Sequence, residues 1–104
     1  IRDRALRESL ASTLGNPEVR QAWIRALRQQ ATAFLERREW KAAIGALRTI
    51  IEELPANLEA YLDLAKAFFE SGQFREALEA IRRALEVDPG NDGARELMRR
   101  LLTT

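Results

Sequence analysis

The titratable side chains of this sequence are carboxylates, arginines, a single tyrosine and the two lysines Lys41 and Lys66; it contains no cysteine and no histidine. That inventory excludes thiol nucleophiles, disulfides and histidine-based metal sites or triads. An active site would have to be built from carboxylates converging on a pocket. The nearest sets are Glu36 with Glu39, Glu52 with Glu53, and Glu76 with Glu79, all spaced like charge on solvated helix faces. Glu36 beside Arg37 and Arg38, and Glu79 ahead of Arg82 and Arg83, suit local helix pairs of about 0.2–0.5 kcal/mol each. Gly45 and Gly93 stand alone, so no glycine loop cradles a phosphate. We expect no catalysis and no cofactor or metal. Nucleic-acid binding would need a basic stripe with aromatics. Arg20, Arg25 and Arg28 come nearest, but acidic residues follow and the net charge is only +1. No nucleic-acid partner is expected.

The elements that carry these side chains are helical. Residues 2–14 place Leu6, Leu10 and Leu14 on one face, and Gly15 ends that helix. Asn16-Pro17-Glu18 then supplies an N-cap, a first-turn proline and an acid against the positive helix end. The helix it starts should run to about Arg37, with Val19, Trp23, Ala26, Leu27, Ala31 and Phe34 as its apolar stripe. Trp23 is expected to pack against the first helix. Further helices are predicted from Trp40 to about Leu54, Leu58 to Glu70, Phe74 to Val87 and Asp92 to Leu102. Asn57 should cap the third of the five from residue 17 onward. At 46% hydrophobic and 104 residues the chain can bury the core of one domain. No apolar run approaches the ~20 residues that span a bilayer, so no membrane partner is expected. No signal peptide is visible, and the chain opens on Ile1, as an excised domain or processed product would. The compartment is open, with the cytoplasm favoured.

One period relates these helices. Pro55 and Pro89 lie 34 residues apart, as do Ala43 and Ala77, Phe34 and Phe68, Ala31 and Ala65, and Asn57 and Asn91. At the same offset Leu27 matches Tyr61 and Leu47 matches Ile81. Self-similarity at this period marks a stacked helical repeat. The residues from Tyr61 onward resemble the tetratricopeptide repeat, whose pattern is W-x2-L-G-x2-Y, then A-x3-F, then P. Tyr61, Leu64, Ala65 and Phe68 take the first four places, Ala77 and Ile81 the next pair, and Pro89 the last. The upstream copy is looser: Gln30 replaces the expected leucine, Ile50 stands opposite Ala84, and Arg38 stands opposite Gly72. If Arg38 takes the left-handed conformation a glycine would, it costs roughly 1 kcal/mol; otherwise the first turn differs.

The resemblance implies an all-α, right-handed superhelical stack of about six antiparallel helices. Within the single domain, residues 1–23 would be the N-terminal helix with an extension of the first repeat helix. Residues 24–57 and 58–91 would be the two repeats, and 92–104 a terminal cap. It also implies a non-catalytic adaptor or scaffold that binds a peptide or helix of another protein in a concave groove. The face of the first helix of each repeat would then carry the site: Arg25, Arg28, Thr32 and Leu35 on one copy, Glu59, Leu62, Lys66 and Phe69 on the other. Leu62 and Phe69 would be apolar anchors, while Arg25, Arg28 and Lys66 would fix acidic groups. Some family members grip a terminal carboxylate with lysine and asparagine. Here Arg28 and Thr32 hold the first pair of places and Asp63 an asparagine place, so no such clamp is expected. The alternatives are a homo-oligomerisation module, paired through the first or the last helix, and a regulatory segment of a larger enzyme.

Overall fold

A computed structural model describes residues 15–103. Five helices follow one another: α1 Pro17–Glu36, α2 Trp40–Glu53, α3 Leu58–Glu70, α4 Phe74–Val87 and α5 Asp92–Leu102. Each starts and stops within a residue of the span read from the sequence. The described chain is all-α. The helix expected over residues 2–14, a sixth, lies outside the described residues, and with it the expected partner of Trp23.

Local chemistry sets the helix ends. The side chain of Asn16 accepts from the backbone N–H of Glu18 at 2.9 Å. Asn57 does the same for Ala60 at 2.8 Å, and Asn91 for Ala94 at 2.9 Å. Each satisfies a donor that the first turn of a helix leaves without an internal partner. The turns α1–α2 and α3–α4 are built alike. Glu39 N–H donates to Phe34 O at 2.8 Å and Arg38 N–H to Leu35 O at 3.1 Å; Gln73 and Gly72 repeat both bonds to Phe68 and Phe69 at the same lengths. This is the paired closure that needs a left-handed residue just past the helix. Gly72 supplies it with φ 82° and Arg38 with φ 61°. The arginine therefore adopts the left-handed conformation, the first of the two outcomes that its position opposite the glycine left open.

The two kinds of glycine position give opposite expectations. A Cβ at Gly72 would meet no atom within 4 Å, so Gly72→Ala is opposed only by its backbone conformation. We expect it to destabilise the chain by about 1 kcal/mol. Gly45 lies inside α2, where an added Cβ also meets nothing within 4 Å. Gly45→Ala should stabilise by about 0.5–1 kcal/mol, because alanine loses less backbone entropy. Chemical denaturation of the two variants should move the midpoint in opposite directions.

Alanine lets the helices approach closely. Ala31, Ala43, Ala60, Ala67, Ala77 and Ala84 are fully buried, with Leu47, Ile50 and Ile81 filling the space between them. Sequential helices pack against each other, and α3 also packs against α5. That last contact brings α5 beside α3. No described helix is long and apolar enough to cross a membrane.

Candidate interaction cleft

Where α1, α3 and α5 lie side by side they bound an open cleft of about 510 Å³. From α1 come Leu35 and Glu36, and the turn and start of α2 add Arg38 and Trp40. The α3 helix contributes Asp63, Lys66, Phe69 and Glu70, and α5 contributes Leu97 and Arg100. Leu35, Trp40 and Phe69 are partly buried against the core, so the cleft has an apolar floor that is still reachable. Its rim is charged. The Arg38 guanidinium lies over the Trp40 ring, 5.8 Å from the centroid, and reaches Glu70 at 3.6 Å. The Arg100 guanidinium lies over Phe69 at 5.6 Å, and Phe74 meets the edge of the same Phe69 ring with centroids 5.6 Å apart. These cation–π contacts hold flat, charged lids over aromatic faces.

Of the residues expected to form the site, Leu35, Lys66 and Phe69 line this cleft. The others lie elsewhere. Arg28 is committed internally: its Nη2 pairs with Asp63 Oδ2 at 2.5 Å and Glu59 Oε1 at 2.7 Å, bridging α1 to α3. Its cation is thus already met by two carboxylates. Thr32 is exposed, and its hydroxyl donates back to Arg28 O at 3.0 Å. Leu62 leans toward α5, where a methyl on Gly93 would sit 3.9 Å from its Cδ1. Arg25 is exposed on α1 and does not line the cleft. Within the basic stripe Arg20 is also tied down, to the Glu53 carboxylate and carbonyl, each at 3.0 Å.

Arg38, Trp40, Leu97 and Arg100 also line the cleft, from outside the two helices that carry the face assigned from the sequence. Two carried a signal. Leu97 and Arg100 lie 34 residues after Asp63 and Lys66, so α5 continues the register of α3 into the same cleft. Reading α5 only as a cap conceals this. The charged pair whose acid titrates low is elsewhere on α5. Hydrogen bonds from the exposed Arg99 hold the Glu96 carboxyl below the usual range, with the Arg99 charge adding to the effect.

The model of the family described as "Tetratricopeptide repeat" matches residues 34–101. The chain belongs to the tetratricopeptide repeat family. Two solved structures of MamA share its fold. One is MamA residues 41 to the end from Desulfovibrio magneticus RS-1, with TM-score 0.64. The other is an RS-1 MamA ArsTM double mutant, with TM-score 0.62. Both are 19% identical over 83% of this chain, and the match spans 58% of each MamA chain. No curated protein matches the sequence. Tetratricopeptide repeats generally serve protein–protein interaction and are generally non-catalytic. The cleft sits across the helices that carry this chain's repeat, which makes it the natural place to look for such an interaction.

Proposed function

We propose that this chain is an adaptor or scaffold module and that the cleft between α1, α3 and α5 is where a segment of another protein docks. One observation carries the reading: Leu35, Trp40 and Phe69 form a partly buried apolar floor inside a charged rim. Interfaces of this anatomy draw affinity from a few desolvated anchors and specificity from the charges around them. Phe69 and Leu35 would be the anchors, and Lys66 the rim cation nearest them in the α3 face. Arg28 is not a ligand contact in this reading, because Glu59 and Asp63 already hold it. The same pair argues against a terminal-carboxylate clamp, since Asp63 occupies the place where a neutral amide would be needed.

The test is affinity capture with wild-type chain beside a Phe69→Ala/Lys66→Glu variant, whose folding is confirmed by circular dichroism and thermal melting. Arg28 stays intact so that the fold is not disturbed. A partner bound by wild type and lost by the folded variant supports docking in the cleft. Equal capture by both moves the interface elsewhere. A second reading, self-association, is favoured by Leu102, which is 73% exposed near the end of α5 beside the partly buried Leu101. Sedimentation would then show a concentration-dependent mass that Leu102→Glu abolishes.

A further inference from the structure

The cleft has charges to offer a ligand but, apart from the indole N–H of Trp40, no neutral polar side chain. Among the described residues lining it there is no Asn, Gln, Ser, Thr or Tyr. The hydroxyls of Thr32 on α1 and of Ser71 just past α3 donate to their own backbone, to Arg28 O and Phe68 O. An extended peptide entering this space would bring backbone N–H and C=O groups in alternation and find few partners for them. Leaving such groups unpaired at an interface is costly. A helix satisfies its backbone internally and presents only side chains.

The charges of the rim are unevenly spent. Asp63 is held by Arg28, and Glu70 faces Arg38. Arg100 covers Phe69. Glu36 on α1 and Lys66 on α3 both line the cleft, and neither takes part in an ion pair with another described residue. Glu36 is also poorly placed for its own helix. It is the last residue of α1, at the negative end of the helix dipole, and the bases expected to pair with it, Arg37 and Arg38, lie beyond the last turn, Arg38 pairing with Glu70 instead. A carboxylate there without an ion-pair partner among the described residues is available to an external one.

We propose that the occupant of the cleft is an amphipathic helix of a partner protein, bringing a carboxylate to Lys66 and a cation to Glu36 on either side of its apolar anchors. This rests on the cleft being the docking site. The experiment screens the full 104-residue chain against two displayed peptide libraries of equal length. One randomises a single face of a stable helix. The other carries a proline at every fourth position, which keeps it extended.

The proposal expects enrichment from the helical library alone, with apolar residues three or four apart flanked by an acid and a base. Against the enriched peptide, Lys66→Glu should weaken binding about two- to fivefold, as loss of one rim pair does. The Glu36→Lys/Lys66→Glu double variant should recover binding to a peptide with its acid and base exchanged. Glu36→Gln should weaken binding while the unfolding midpoint holds or rises, which a structural role for the carboxylate would not produce. Enrichment from the extended library, or helices indifferent to the charge exchange, overturns the proposal and leaves the cleft standing as a docking site. Binders unaffected by Phe69→Ala, or no binders from either library, overturn the docking site itself.

Discussion

Phe68→Ala is expected to destabilise the chain by about 3–5 kcal/mol, whereas Phe34→Ala, one period upstream, should cost about half as much. Phe68 is 4% exposed and sits in the core cluster between α2, α3 and α4. Truncation removes its apolar burial and leaves a cavity in the core cluster. The Arg48 guanidinium, 5.6 Å from the ring centroid, would lose its aromatic face as well. Phe34 is only partly buried and lies outside that cluster. A small domain has about 5–15 kcal/mol to lose, so the Phe68 variant should be partly unfolded under mild denaturant. Urea titration followed by circular dichroism decides it; equal losses at the two positions would show that α1 is as deeply packed as α3.

Asp63→Ala should cost about 1–3 kcal/mol, and Glu59→Ala under about 0.5. Both acids contact Arg28, but their surroundings differ. The Asp63 side chain is 18% exposed and that of Glu59 73% exposed. Water already screens Glu59, so little is lost with it. Asp63 holds Arg28 in a half-buried seam, where the Arg28 Nη1 has no hydrogen-bond partner of its own. Removing Asp63 strands more of that guanidinium. Breaking a fully buried pair costs about 3–5 kcal/mol, and partial exposure places this one lower. Replacing both partners, Arg28→Met with Asp63→Leu, should recover most of the loss, because no charge is then left uncovered. A double-mutant cycle read by denaturation measures the coupling directly; additive losses would mean the bridge contributes nothing.

What the sequence could and could not reveal follows from how far apart the relevant partners lie along the chain. Helix ends were legible because their causes are local: Asn16, Asn57 and Asn91 cap donors two or three residues on, and Gly72 closes its own turn. The buried Ala31, Ala43, Ala65 and Ala77 were legible because the 34-residue offset repeats them, whereas the offset does not repeat Ala84, which stands opposite Ile50. Arg38 was legible only in part: its match to Gly72 singled it out but left open whether it is left-handed or the turn differs. The Arg28–Asp63 bridge was not, because the residues are 35 apart and meet only through the lateral spacing of α1 and α3. From the sequence Asp63 reads as repulsive to a bound carboxylate; in the fold it is the anchor of an internal cation. Trp40 and Arg38 enter the cleft from a turn, where helical periodicity says nothing. Leu97 and Arg100 were concealed by the amphipathic look of α5, which suggests an end piece until its register is compared with α3.

That register also says where the array can grow. Arg95 and Arg99 stand 34 residues after Tyr61 and the buried Ala65 of α3. Two long cations in those places give α5 no slot for another helix of the α4 kind. A designer wishing to lengthen the module should therefore splice a copy of residues 58–91 in ahead of Asp92, so that α5 packs on the inserted pair as it now packs on α3 and α4.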